Sequence, residues 1–187
     1  ANAFARTGYT FTGWNTAADG SDQSYADGAT KPNVTDVDGD TATLYAQWTA
    51  NTYDIAFNGN GSESGSMDPI ETVWDAAVAV DAPDSAFART GYVFTGWNTQ
   101  PGGGGTAFAV GDDLRNIEPG DLGQAVVLYA QWQATEYDIS FDGNGADAGS
   151  MAEQPMIYDV AANLDTLAYS KTGYTFSHWT WTDGIGQ

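Results

Sequence analysis

Three aspartates at alternate positions, Asp36, Asp38 and Asp40, are the residues whose type and spacing suggest a metal site. Ca²⁺ takes oxygen ligands from closely spaced Asp side chains. An EF-hand loop that began at Asp36 would need a bidentate Glu where Gln47 stands, and its glycine would fall on Thr41. We therefore keep the three aspartates as a calcium candidate, favour a solvated loop, and predict no cofactor.

Catalytic groups are few. His178 is the single histidine, it stands where the corresponding segments have glycine, and no nucleophile lies at a spacing that would complete a triad with it. Asp112 and Asp113 suggest an acid/base pair, but neighbouring residues of a strand point to opposite faces. The chain has no cysteine, which excludes a thiolate nucleophile, a disulfide framework and a Cys-based zinc site. We predict that the protein is not an enzyme.

The aromatic side chains are stronger binding candidates, because exposed rings can hold sugars by stacking. Tryptophans that recur along the chain are expected in the core, which in a small module depends on them for burial. These are Trp14, Trp97 and Trp179. The predicted ligand-binding residues are aromatics outside the recurring pattern: Trp74, Trp181 and Tyr25.

Three motifs recur along the chain, which identifies a tandem repeat. The segment 8–16 returns at 91–99 and, in part, at 173–179, with offsets of 83 and 82 residues. The other two motifs each return once at an offset of 84: residues 44–48 at 128–132, and residues 53–61 at 137–145. One repeat therefore spans about 80 residues.

The repeat boundaries follow from two short polar segments, 49–52 and 133–136, which we predict to be linkers. The first repeat is represented by its C-terminal part, residues 1–48, the second is complete at 53–132, and the third is represented by its N-terminal part, 137–187. A permuted register starting near Phe4 and Phe87 would give two whole repeats and a stub. We favour the first register because it places adjacent strands at the two ends of a repeat.

Within the complete repeat, hydrophobic alternation and turn residues predict four strands. They cover residues 53–57, 70–74, 92–97 and 126–132. Residues 76–88 connect the second strand to the third, and Pro83 limits them to one or two helical turns near 84–87. The predicted fold class is α+β, mostly β, with a four-stranded sheet and a short helical crossover.

The three motifs together resemble the Listeria–Bacteroides repeat, which is similar to the B repeat of internalins. They read Tyr-Asp-Ile-x-Phe-x-Gly-Asn-Gly, Gly-Tyr-x-Phe-x-Gly-Trp and Leu-Tyr-Ala-Gln-Trp. The resemblance covers essentially the whole chain. It implies small β-grasp-like modules strung in tandem on secreted or wall-anchored bacterial proteins, and it implies no catalytic residues.

The net charge of the chain limits the classes of partner that it can bind. The chain carries 25 Asp and Glu against 5 Lys and Arg, a net charge of −20, so it repels nucleic acid and anionic lipid. No apolar run of about 18 residues is present, and we predict no membrane insertion. The excess acids are spread over all three repeats, which indicates a repeated solvated surface.

We predict an extracellular tandem-repeat stalk of a bacterial surface protein, attached to the cell surface or wall, with weak adhesive contacts as an additional role. The alternative is a glycan- or protein-binding adhesion module that uses exposed aromatics or a free sheet edge. The expected partners are neighbouring repeats and a host-surface protein or glycan. Because residues 1–48 lack the opening hairpin and 137–187 lack the closing strand, we also expect these parts to complete each other, within one chain or by a domain swap.

Overall fold

A computed structural model describes residues 2–30, 33–35, 38–82, 87–117 and 125–181. Ten strands form in these ranges. They are β1 (Tyr9–Asn15), β2 (Ser24–Tyr25), β3 (Tyr45–Ala50), β4 (Thr52–Asn58), β5 (Ile70–Val73), β6 (Tyr92–Asn98), β7 (Ala107–Phe108), β8 (Val126–Ala134), β9 (Glu136–Ile139) and β10 (Gln154–Ile157). The second repeat thus forms β4 to β8, and the first and third repeats each form part of the same set.

The strands form three sheets. The complete repeat builds a five-stranded sheet in the order β5-β4-β8-β6-β7, the first repeat builds β2-β1-β3, and the third builds β10-β9. The first and last strands of the complete repeat, β4 and β8, pair in parallel, with Ile55 opposite Val126 and Phe57 opposite Leu128. The strand that opens a repeat therefore lies beside the strand that closes it.

The described residues contain no helix, so the protein is all-β. The α+β prediction, with its four-stranded β-grasp-like modules and helical crossover, is wrong. After β5 the chain runs extended: the Val78 carbonyl accepts from the Leu114 N–H at 2.7 Å, and the Val80 N–H donates to the Asp112 backbone carbonyl at 3.0 Å. Val78 and Val80 point inward and Ala79 outward, and β-branched side chains on one buried face favour a strand.

Residues 83–86, on which most of the predicted helical turns fell, lie outside the described residues. The predicted four-residue linkers are largely strand. β3 ends at Ala50 and β4 begins at Thr52, so Asn51 alone separates them; Thr135 alone separates β8 from β9. Each repeat therefore passes into the next with almost no free chain.

The core lies in the complete repeat. Trp97 is 1% exposed and is surrounded by Phe57, Phe87 and Phe94, whose ring centroids lie 4.9, 6.1 and 5.2 Å away. The aliphatic part of this core includes Ile55, Val80, Leu114 and Leu128, which are fully buried. The core role predicted for Trp97 is thus confirmed.

The chain divides into two compact units. Unit 1 comprises Ala1–Thr90 and Phe94–Trp132, and unit 2 comprises Gly91–Val93 and Gln133–Gln187. Unit 1 contains the first repeat and most of the second. Unit 2 contains the third repeat together with the start of β6.

Candidate functional site

A cluster of polar and aromatic residues in unit 1 lies where the first repeat meets the second. The Asn51 N–H donates to the Gly8 carbonyl at 2.9 Å, and the Asn51 carbonyl accepts from the Trp74 N–H, also at 2.9 Å. The indole ring of Trp74 covers Gly8 so closely that a Cβ at position 8 would collide with it. The single linker residue is therefore bonded on both sides. We call this cluster the junction; in unit 1 it consists of Gly8, Tyr9, Asn51, Trp74 and Asp75.

Asp75 adds a side-chain bond to this junction. Its carboxylate accepts from the Tyr9 hydroxyl at 2.6 Å and from the Asn116 side-chain amide N–H at 2.7 Å, while its own backbone N–H donates to the side-chain Oδ1 of Asn116 at 2.7 Å. The bond from Tyr9, followed by the bond from Asn116, lowers the pKa of Asp75. The same bond to Asp75 raises the pKa of Tyr9. Asp75 therefore holds its charge and Tyr9 its proton over a wide pH range.

The backbone at Asp75 is also specialised. Asp75 has φ +65° and Asn116 has φ +57°, in the left-handed region that Asp and Asn enter more readily than most residues. This turn ends β5 and directs Trp74 and Asp75 towards Gly8 and Tyr9. On the other side, the Arg6 guanidinium lies 3.6 Å from the centre of the Tyr9 ring, a favourable cation–π contact.

Unit 2 contains the same junction. The Thr135 N–H donates to the Gly91 carbonyl at 2.8 Å, and the Thr135 carbonyl accepts from the Tyr158 N–H at 2.9 Å. The Tyr158 ring covers Gly91, again in the volume of a Cβ, and the Tyr92 hydroxyl donates to Asp159 at 3.0 Å. Asp159 has φ +59°. All five positions of the first junction thus have counterparts here, each 83 or 84 residues further along.

The third repeat also has a receiving turn, at Gly173 and Tyr174, which no described residue covers. Gly173 has φ +79° but no atom that would touch an added Cβ, and Tyr174 is 74% exposed. The turn before it matches the first repeat, because the Tyr174 N–H donates to the Lys171 carbonyl at 3.1 Å and the Tyr9 N–H donates to the Arg6 carbonyl at 3.1 Å. The receiving turn therefore keeps its shape when uncovered.

The predicted ligand-binding aromatics have different surroundings. Trp74 is half-buried in the junction, Trp181 is 84% exposed in unit 2, and Tyr25 is half-buried opposite Trp14 in the β1–β2 pair. Tyr25 and Trp14 also line a cavity of about 320 Å³ with Asp27 and others. The structure thus gives Trp74 a structural role and leaves Trp181 as the most accessible of the three.

Of the three calcium candidates, Asp36 lies outside the described residues, and Asp38 and Asp40 are exposed. Asp40 accepts from the Thr41 N–H at 2.9 Å and from the Thr35 hydroxyl at 3.3 Å, which are local turn bonds. No group of three or more His, Cys, Asp or Glu that could hold a metal occurs in the part of the chain that the structure describes.

The residues considered for catalysis shape loops. Asp112 accepts from the Ala109 N–H at 2.7 Å, and Asp113 accepts from the Val78 N–H at 3.2 Å and pairs with Arg115 at 3.2 Å. His178 is exposed in unit 2. The contacts of Asp112 and Asp113 thus stabilise the local loop structure.

Two asparagines were missed by the sequence reasoning. Asn15 and Asn98 are 0% and 2% exposed, and each clasps the loop that follows its strand. Asn98 donates to the Gly103 and Gly105 carbonyls at 3.2 and 3.4 Å and accepts from the Gln100 and Gly105 N–H groups at 2.9 and 3.0 Å. The available signal was their recurrence after Trp14 and Trp97.

Comparison with known proteins gives a family. The model of the Listeria-Bacteroides repeat domain matches residues 1–47, 53–131 and 137–186. Two curated relatives come from Evansella cellulosilytica. One, named "Putative Gly-rich membrane protein", is 39% identical over 94% of this chain and 19% of its own length. The other, named "Putative membrane protein", is 40% identical over 57% of this chain and 15% of its own length.

This chain thus spans about a fifth or less of the length of these two relatives. No solved structure matches it. Among the described residues, no helix has the length and apolarity needed to cross a bilayer.

Proposed function

Since the chain belongs to the Listeria-Bacteroides repeat family, a tandem surface-type module, we propose that it is an extracellular spacer of a bacterial surface protein, anchored at the cell surface or wall and without catalytic activity of its own. Its task is to hold another part of that protein at a distance. A spacer works only if consecutive repeats resist bending against each other. The proposal therefore depends on how the repeats are joined.

The junction is the observation that supports this function. In unit 1 the linker is one residue long and both of its backbone groups are bonded. A ring on Gly8 and the Tyr9–Asp75 hydrogen bond add two further restraints. A flexible linker has neither a fully bonded backbone nor side-chain contacts that hold it in place. The same set of restraints recurs in unit 2, so both junctions between the repeats of this chain are held in the same way.

The charge of −20 supports the same role. Like charges on neighbouring molecules repel one another within about 8–10 Å at physiological salt. Neighbouring spacers on a crowded surface are thereby kept apart. Composition and junction favour the same function for independent reasons.

Adhesion is the second candidate, and the observation that favours it is the exposure of Trp181. A glycan array probed with the whole chain and with Trp181→Ala tests it. Reproducible binding that the variant loses supports an adhesive contact. Trp74 is unsuited as a ligand residue, because its ring is already packed on Gly8.

Distance measurement across the junction of unit 1 tests the spacer function. The chain has no cysteine, so Gln23→Cys in the first repeat and Glu71→Cys in the second give two unique sites for spin labels, both at exposed positions. We expect one narrow distance distribution. Adding Trp74→Ala should broaden it, and adding the matched Trp181→Ala should not. A broad distribution in the otherwise unchanged chain would contradict the proposal.

A further inference from the structure

The strands that open and close the complete repeat, β4 and β8, are also the strands through which tension along the chain enters and leaves that repeat. β4 begins at Thr52, separated from β3 by Asn51 alone, and β8 ends at Ala134, separated from β9 by Thr135 alone. Almost no free chain lies outside these two strands to absorb a pull. Tension therefore acts on the N-terminal end of β4 and on the C-terminal end of β8.

The parallel pairing of β4 with β8 directs this load along the strands. Pairing runs over 55–58 of β4 and 126–129 of β8, so the paired segment lies between the two pulled ends. Because the strands run in the same direction and are pulled at opposite ends, they can separate only by sliding past each other. The evenly spaced hydrogen bonds of a parallel pair are then loaded together. A pull on both strands at the same end would load these bonds one after another.

The buried side chains of the pair oppose sliding. Ile55 and Leu128 are 0% exposed, and Val126 is 8% exposed. A slip of one residue would turn the buried side chains of the moving strand to the opposite face of the sheet. The next register with matching faces lies two residues away, a movement of about 7 Å. The core contacts of the pair are thus lost before a new register is reached, and the pair cannot yield in small steps.

Two side-chain hydrogen bonds extend the contact beyond the paired backbone. The Asn60 side-chain amide donates to the Ala130 carbonyl at 2.8 Å, and the Trp132 indole N–H donates to the Gly59 carbonyl at 2.9 Å. The Asn60 amide also donates to the Pro101 carbonyl at 2.8 Å. The first two bonds join the turn that follows β4 to the later part of β8. Sliding of β4 against β8 stretches both of them together with the backbone bonds.

We propose that the β4–β8 pair is a mechanical clamp, a contact that carries pulling force across the repeat and protects the repeat from unfolding under that force. β5, β6 and β7 lie between β4 and β8 along the chain, so the chain that forms them is extended only after β4 and β8 separate. This function is additional to spacing: the junction resists bending, whereas the clamp resists extension. The proposal rests on the spacer function for the source of the load, because a spacer that holds a distal part in place is pulled whenever that part is pulled.

Single-molecule pulling of the full 187-residue chain in two directions tests the clamp. The chain has no cysteine, so pairs of cysteines at exposed positions can attach the handles. Thr52→Cys with Gln133→Cys pulls β4 and β8 at opposite ends, and Thr52→Cys with Ala125→Cys pulls them at the same end. We expect the unfolding force of the first pair to be about 2- to 4-fold that of the second, because the bonds are loaded together in one direction and in sequence in the other. The length released, about 3.5 Å for each residue between the handles, identifies the event as unfolding of the complete repeat.

Two variants test the side-chain bonds of the clamp. Asn60→Gly keeps the left-handed backbone at φ +46° and removes the amide, and Trp132→Phe keeps an aromatic ring and removes the N–H donor. Each should lower the opposite-end force by about 20–40%, since one of several loaded bonds is lost. The same-end force should not change, because separation in that direction begins at residues 55 and 126. The matched control is Asn144→Gly, which has φ +47° in the same turn of the third repeat and lies outside the handles, and it should change neither force.

Equal unfolding forces in the two directions would overturn the proposal. If Asn60→Gly and Trp132→Phe lower both forces equally, their bonds act through the general stability of the repeat, and their assignment to the clamp is overturned. Failure of the spacer function gives a different result. A broad distance distribution across the junction of unit 1, together with direction-dependent forces within the complete repeat, would contradict the spacer and support the clamp.

Discussion

The indole ring of Trp74 lies on the backbone of Gly8, in the volume that a Cβ at position 8 would occupy. Tyr158 lies on Gly91 in the same way. These glycines have φ +76° and +74°, so their recurrence has two causes: a left-handed turn, and a ring from the following repeat. The recurring spacing of the motif within this chain thus reflects the joining of repeats as well as the fold of one repeat.

Replacing Gly8 by Ala separates these two causes. Gly28 is the matched control, since it has φ +69° and no atom near its Cβ position. Gly28→Ala should cost about 1–2 kcal/mol of unfolding free energy from backbone strain alone. Gly8→Ala should cost about 1–3 kcal/mol more because the ring must move. Urea unfolding measures both, and equal losses would show that the ring contact contributes nothing.

Trp74 should behave as a packing residue. Trp74→Ala should lower the unfolding free energy of unit 1 by about 2–3 kcal/mol, because the ring is half-buried and full burial gives about 3–5. Trp74→Tyr should cost about 1 kcal/mol or less, since Tyr158 fills the equivalent position. Trp181→Ala, at an exposed position, should change stability by no more than about 0.5 kcal/mol. Urea unfolding followed by fluorescence distinguishes the three, and an equal effect of both alanine variants would contradict the junction.

The hydrogen bond between Tyr9 and Asp75 should make the stability of the junction fall both at low pH and at high pH. The pKa of Asp75 is lowered by its hydrogen bond from Tyr9, so its stabilisation is present above about pH 4, the ordinary range of Asp, and is lost as pH falls through the lower folded value. The pKa of Tyr9 is raised by the same bond. Its stabilisation is present below about pH 10 and is lost as pH rises through the raised folded value.

Tyr9→Phe should remove the loss of stability at alkaline pH and reduce the loss of stability at acid pH. Urea midpoints from about pH 2.5 to 11 measure both losses, and Tyr45→Phe, an exposed tyrosine of β3, is the control for general tyrosine ionisation. If both variants alter the alkaline region equally, the Tyr9–Asp75 bond is not its cause. Asp75→Asn tolerates the left-handed backbone and removes the charge, so it should reduce the loss of stability at acid pH without a backbone penalty.

The sequence predicted the family and much of the strand pattern. The family is confirmed by the match to all three repeats, and predicted strands at 53–57 and 92–97 lie within β4 and β6. The helical turns predicted near 84–87 fall mostly outside the described residues. Earlier in the same connection, Val78 and Val80 hydrogen-bond with residues 111–114, and such long-range pairing is not visible in local propensity.

The junction was missed for a different reason. Trp74 was set apart as a non-recurring aromatic because the third repeat has Tyr158 there. The recurring unit is an aromatic residue followed by Asp, at 74–75 and again at 158–159. The turn needs a residue that adopts the left-handed backbone and accepts a hydrogen bond, and Asp does both. A comparison of side chains by hydrophobicity easily overlooks such a residue. The recurrence of Asp after the aromatic residue, at Asp75 and Asp159, was the signal that could have identified the junction.

Asn98 provides the last prediction. Its buried amide makes four hydrogen bonds to the glycine-rich loop 100–105, which would otherwise have many backbone states available to it. Asn98→Ala leaves these loop groups without their partner, and should cost about 2–4 kcal/mol. The control is Asn58→Ala, an exposed position whose side chain accepts one bond, from the Asn60 N–H at 2.8 Å, and it should cost about 1 kcal/mol or less.

Urea unfolding measures both losses, and hydrogen exchange at the Gln100 and Gly105 amides locates the first. We expect these two amides to exchange faster in Asn98→Ala and at the original rate in Asn58→Ala, because only Asn98 bonds to them. Unchanged exchange at Gly105 together with a large loss of stability would mean that Asn98 acts through core packing. The third repeat has Thr180 at this position, and a Thr hydroxyl cannot make the four bonds of an amide. The clasp is therefore a feature of the first and second repeats.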